Sequence, residues 1–128
     1  MGKIIAIMSY ISPDKFRRSL GHALRGLRNA LATEHSFRIH VFVAAIVIVL
    51  LLIFDLEPIQ TAMVVMVLMT VLVLELVNTV VERFVGLLEP RVHPYVGIIK
   101  DLMAAGVMIV SVGAILVGLL IFIPALTG

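Results

Sequence analysis

Apolar residues run almost unbroken through three stretches of the chain, at about residues 37–54, 59–88 and 102–123. Each is close to the roughly 20 residues needed to cross a hydrocarbon core about 30 Å thick, so each predicts a membrane-spanning helix. The segment 13–33 has another pattern. Phe16, Leu20, Leu24, Leu27 and Leu31 recur at helical spacing, with Lys15, Arg18, His22 and Arg25 along a different side. Ser12 suits the cap of such a helix, Pro13 its first position, and Asp14 the positive end of its dipole. This predicts a basic amphipathic helix lying on an anionic leaflet, the alternative being a solvated charged face. In the third stretch Ala104, Ser111 and Gly118 are spaced by seven, as are Gly106 and Gly113, and Ala114 precedes Gly118 by four. Such rows let helices approach closely in lipid, within or between chains.

Composition agrees with the pattern. The 128 residues are 62% hydrophobic and 14% charged, with a mean hydropathy of +1.20, outside the range of water-soluble domains. The length allows one domain, 1–128, and no polar linker or internal repeat divides it. There is no cysteine, which excludes disulfides and thiolate metal sites. The net charge of +2 is unevenly spread. Lys3, Lys15, Arg17, Arg18, Arg25, Arg28 and Arg38 all precede or open the first apolar run, Arg83, Arg91 and Lys100 flank the second connection, and the acidic "DLEP" fills the first. The positive-inside rule then places the N-terminus and the second connection in the cytoplasm. "KIIAIMSYI" is too short for a signal peptide, and "MGKIIA" has Ala6 where myristoylation needs Ser or Thr. Residues 1–12 are left open between a short interfacial helix through Ile4, Ile5, Ile7 and Met8 and a mobile segment.

The second span is interrupted near its end by "LELVNTVVE". On a helix Glu75, Asn78 and Glu82 project within roughly a 60° sector, while Leu76, Val77, Val80 and Val81 cover the rest. Counted from Ile59 at about 1.5 Å per residue, Glu82 arrives after roughly 35 Å, near the cytoplasmic headgroups, and Glu75 is about 10 Å deeper. An unpaired carboxylate at that depth costs several kcal/mol, so it is protonated, paired or metal-bound, and marks a functional candidate. The structural alternative is a protonated Glu75 that joins two helices through a hydrogen bond.

More polar groups fall at the same level: Glu34 in "ATEHSFR", where an ion pair with Arg38 is the plain explanation, His93 beside a helix-breaking Pro94, and Lys100 with Asp101 at the mouth of the third span. Acids, an amide, a Lys and a His at one membrane face suit a divalent cation on oxygen ligands and the neutralisation of phosphates, as phosphoryl transfer requires. "GHALRGLR" has the glycine spacing of a phosphate-binding loop but lacks the Lys-Ser/Thr that must follow. No zinc or serine-hydrolase pattern is present, and no nucleic-acid partner is expected.

"ALRGLRNALATEHSFRIH", "LELVNTVVE" and "HPYVGIIKDLMAAGV" stand in the order and spacing that resemble the small prokaryotic diacylglycerol kinase and undecaprenol kinase family, over roughly residues 15–110. The resemblance implies a homotrimer of three-span subunits with surface helices, transferring the γ-phosphate of ATP to a lipid hydroxyl between subunits at the inner membrane of a prokaryote. It gives Glu75 the role of general base, Glu34 and Glu82 that of ligands to a catalytic Mg2+, and Asn78, Lys100, Asp101 and more loosely His93 a place at the nucleotide, with Lys15 where some relatives carry Arg. Gly86 stands where the family usually has a nucleotide-binding Asp. "LEPRVHPY" resembles the undecaprenol-kinase branch more than the diacylglycerol kinases. The alternatives are a catalytically impaired nucleotide- or lipid-binding relative, motivated by Gly86, and a cation or proton pathway, since membrane acids also line such routes.

Overall fold

The computed structural model describes residues 12–88 and 93–128. The short apolar stretch at the N-terminus, Arg91, and the side chain of His93 lie outside the described residues. Among the described residues four helices follow in order: α1 (Pro13–Thr33), α2 (His35–Ile53), α3 (Pro58–Leu88) and α4 (His93–Thr127). No strand occurs among the described residues. The chain divides between Thr33 and Glu34 into two compact units.

The first unit carries α1. Ser12 caps it as its sequence predicts: the Lys15 amide donates to the Ser12 hydroxyl at 3.2 Å, and the Ser12 carbonyl accepts the amides of Lys15 and Phe16. Its apolar stripe stays uncovered, with Phe16 72% and Leu24 58% exposed. Such a surface suits the headgroup boundary of a bilayer.

The second unit holds α2, α3 and α4, each long and apolar enough to cross a membrane. The protein is therefore an all-α membrane protein with three spans. Its packing is that of a lipid-embedded bundle, with large apolar side chains such as Phe42, Leu52 and Leu120 turned outward. Inside lie Phe37 and Ala44 of α2, Val64, Val71 and Val85 of α3, and Val96 and Ile121 of α4. α3 packs against both neighbours. Phe54, just past α2, meets Phe122 of α4 edge to face with ring centroids 5.9 Å apart.

Polar residues that interrupt the second span have local partners. Gln60 Oε1 accepts the Glu57 amide at 3.1 Å, and the Thr61 amide donates to the Glu57 carbonyl, so "EPIQ" is a helix start with Pro58 in first position. Thr70 donates its hydroxyl to the Met66 carbonyl at 2.7 Å.

Two expectations change. The third helix begins at His93, nine residues before the apolar run, because a helix continues through polar residues once it reaches the membrane surface. Pro94 thus starts a helix rather than breaking one, since its missing N–H falls where no intrahelical partner exists. The glycines of the α4 row, whose spacing suits contacts within or between chains, are not closely approached among the described residues. A Cβ built on Gly106, Gly113 or Gly118 would meet nothing within 4 Å.

Candidate active site

The stripe of the second span forms in full on α3. Glu75 is 3% exposed and Thr79 7%, both turned into the bundle, while Asn78 is half-buried and Glu82 is exposed. The Asn78 amide donates to Glu82 Oε1 at 3.2 Å, one helical turn away. Its own Oδ1 is buried and accepts no hydrogen bond among the described residues. Buried polar atoms are nearly always satisfied, so this oxygen awaits a cation or a donor.

Glu34 occupies the break between α1 and α2, with an extended backbone (φ −103°, ψ 113°) and no side-chain capping bond. Its carboxylate turns toward α3 instead. Arg83 Nη2 donates to Glu34 Oε1 at 2.6 Å, bridging 49 positions of sequence. Since Arg83 directly follows Glu82, the start of α2 and the end of α3 lie at one level. The two side chains are 50% and 26% exposed, and such a pair adds only about 0–1 kcal/mol to stability. It positions Glu34 more than it stabilises the fold.

Lys100 and Asp101 lie two turns into α4. α4 packs against α3, and residues 89–92 are too few to join the two helices other than antiparallel. Glu82 stands six residues before the end of α3 and Lys100 seven after the start of α4. At about 1.5 Å per residue both are roughly 10 Å from the connection. The second unit therefore gathers Glu34, Asn78, Glu82 and Lys100 at one end, with Glu75 deeper. Lys15 is in the first turn of α1, in the separate unit.

Two residues that the sequence did not single out join this group. Arg83 holds Glu34, and His40 of α2 faces Glu75, with Nδ1 3.8 Å from Oε2. A histidine inside an apolar span, three and four residues from the buried Phe37 and Ala44, was the available signal for the second. The first had only its charge.

The donor set is compatible with Mg2+. Magnesium keeps several waters and takes one or two carboxylates, with substrate phosphates completing its octahedron. No three acidic or imidazole groups converge on one point among the described residues. Glu34 and Glu82 carry hard carboxylate oxygens at one level, and Asn78 Oδ1 is a third oxygen close by in sequence with no hydrogen bond among the described residues.

Residues 21–122 match the family described as prokaryotic diacylglycerol kinase. The chain is 32% identical over 113 residues to an undecaprenol kinase of Bacillus subtilis, covering 88% of this chain and 92% of that protein. It is 34% identical over 109 residues to a diacylglycerol kinase of Synechocystis sp., covering 84% of this chain and 62% of the relative. With most of its length matched, this chain belongs to the prokaryotic diacylglycerol kinase family.

Proposed function

We propose that this lipid kinase moves the γ-phosphate of ATP onto the hydroxyl of a membrane alcohol, undecaprenol before diacylglycerol, at the cytoplasmic face of the inner membrane. The observation that carries the proposal is a buried carboxylate, Glu75, on the same helix stripe as Asn78 and the exposed Glu82. That spacing serves two substrates that approach from different phases. A lipid hydroxyl comes along the membrane interface to Glu75, and a nucleotide comes from water to Glu82.

In this reading Glu75 takes the hydroxyl proton as the oxygen attacks the γ-phosphorus, the bond from that phosphorus to the β–γ bridging oxygen breaks, and ADP leaves. Glu34 and Glu82 would hold Mg2+, which would supply charge neutralisation on the phosphate oxygens. Asn78, Lys100, Asp101, His93 and Lys15 bind and orient the nucleotide. Positioning and electrostatics provide most of the rate in phosphoryl transfer, so these residues need little covalent chemistry. The whole chain acts as one kinase domain with a cytoplasmic N-terminus, in a homotrimer whose packing uses the uncovered small residues of α4.

The choice of acceptor rests on "LEPRVHPY" and on the near-complete coverage of the undecaprenol kinase relative. It is tested by competition between the two alcohols at equal surface fraction in mixed micelles. The expected outcome is preferential labelling of undecaprenol, and preferential labelling of diacylglycerol reverses the assignment. An ion pathway is disfavoured, because the acids gather at one end of the bundle and the apolar cores of α2 and α4 contain none.

Gly86 bears on efficiency. It is exposed on α3, and a Cβ there would meet nothing within 4 Å. Asp and Gly differ in helix propensity by only about 0.3 kcal/mol, so Gly86→Asp costs the fold little. We expect Gly86→Asp to lower the KM for ATP by roughly 3- to 10-fold, the value of one added hydrogen bond of ordinary strength. An unchanged KM means that other groups already fill this place.

A further inference from the structure

We infer that the gap between α2 and α4, floored by α3, seats a single hydrocarbon chain of the acceptor alcohol, and that Ala114 and Gly118 set how far that chain reaches. This rests on the assignment of Glu75 as the residue that meets the hydroxyl, and it names what positions the rest of the lipid.

Two adjoining cavities make the gap. Among the described residues α3 packs against both α2 and α4, but α2 and α4 share no comparable contact, so the three helices leave a slot over α3. The cavity nearer Glu75, of about 220 Å³, includes His40, Leu72 and Ser111 in its lining. The farther one, of about 340 Å³, includes Val64, Gly118 and Phe122. Val43, Leu68, Ala114 and Ile115 line both, so the two run together. His40 Nδ1 lies 3.8 Å from Glu75 Oε2, and Leu72 is one turn from Glu75 on α3, which sets Glu75 at one end of the slot. Val64 is eleven residues from Glu75, so the slot extends roughly 16 Å along α3, about half the thickness of a hydrocarbon core.

Polarity along the slot matches a long-chain alcohol. Its polar lining, His40 and Ser111, is confined to the end near Glu75, and every residue that lines the far cavity is apolar. The size suits one chain. A volume of about 340 Å³ is little more than twice the roughly 150 Å³ of an apolar cavity that holds one benzene, and it is far too small for a helix about 10 Å across. The first isoprene units of a polyprenol fill such a slot, and the rest of the chain continues into the bilayer.

Lipid tails are as apolar as these walls, so entering the slot adds little affinity. What the slot supplies is position. A chain held by its walls presents the hydroxyl at one depth, and a displacement of about 1 Å costs up to roughly 10²-fold in rate. Ala114 and Gly118 are the small residues of the α4 wall, four apart on one face. A Cβ built on Gly118 meets nothing within 4 Å, so a larger side chain there enters the slot without striking a neighbour, and helix propensity favours it. Gly106 and Gly113 line neither cavity and stay available for contacts between chains.

The test uses the full-length protein in mixed micelles, with geraniol, farnesol, geranylgeraniol and undecaprenol as acceptors at equal surface fraction. In the wild type kcat is expected to rise along the series while the slot fills, and then to level off. Gly118→Leu shortens the slot. It should lower kcat for undecaprenol by about 10- to 100-fold and leave kcat for geraniol, whose chain ends short of Gly118, within about twofold, with KM for ATP unchanged. Ala114→Leu, placed where the cavities join, should move the loss to shorter alcohols. Retained geraniol phosphorylation shows that the variant is folded. A wild-type rate independent of chain length overturns the proposal, as does an equal response of Gly118→Leu to all four alcohols. Equal and unchanged rates leave the slot to bulk lipid, and an equal loss assigns it to the fold or to a second copy of the chain. Those failures are distinct from failure of the base assignment, which shows as phosphorylation of any of these alcohols by Glu75→Gln.

Discussion

Glu75→Gln is expected to abolish lipid phosphorylation while the protein still folds and binds ATP. The change removes one ionisable oxygen and keeps the volume of a side chain that is 3% exposed, so no cavity or clash results. It also withdraws a carboxylate from the bilayer, where a charged side chain is costly. What is lost is the acceptor for the hydroxyl proton. General-base catalysis contributes roughly 10²–10⁴-fold, and kcat should drop by that amount with little change in KM for ATP. Steady-state kinetics with nucleotide binding measured in parallel checks this. An active Glu75→Gln enzyme removes Glu75 from the role of base.

Glu82→Gln and Glu34→Gln should fail differently. These acids occupy the aqueous end of the site, Glu82 exposed and bonded to Asn78, Glu34 held by Arg83. Removing one carboxylate from a site that offers two would leave Mg2+ with one carboxylate, phosphate and water. The expected loss is at least about 10²-fold in kcat/KM for the nucleotide, with the Mg2+ requirement shifted upward. The fold should be intact, because the Glu34–Arg83 pair is too exposed to contribute more than about 1 kcal/mol. Titration of activity with Mg2+ separates the two classes of variant. The Glu75 variant stays inactive at any Mg2+ concentration, whereas the Glu34 and Glu82 variants recover in part at high Mg2+. Identical responses from all three variants contradict the division of labour along α3.

Much of this arrangement was legible in the sequence. α1 runs from Pro13 to Thr33 as its cap and stripe predict, and the seven-residue spacing of Glu75 and Glu82 by itself puts both on one face of a span. Local rules reached these features because each depends on neighbours within two turns. The start of α4 was less accessible. Lys100 and Asp101 end the apolar run, whereas the backbone bonds that define a helix do not respond to side-chain polarity. The pairs Arg83–Glu34 and His40–Glu75 were out of reach for a different reason: 49 and 35 positions separate the partners, and only the packing of α2 on α3 brings them together. The glycine row of α4 shows the limit from the other side, since its spacing predicts a close helix contact without saying which chain supplies it.

The most direct test of the central claim follows the γ-phosphate itself. Purified protein in detergent with Mg2+ receives γ-labelled ATP, with undecaprenol in one tube and diacylglycerol in another. The account predicts label on the lipid, stronger with undecaprenol, and none when Glu75→Gln replaces the wild type. Bound ATP with no labelled lipid in either tube contradicts it, and would make this chain a binding protein that has lost the transfer step.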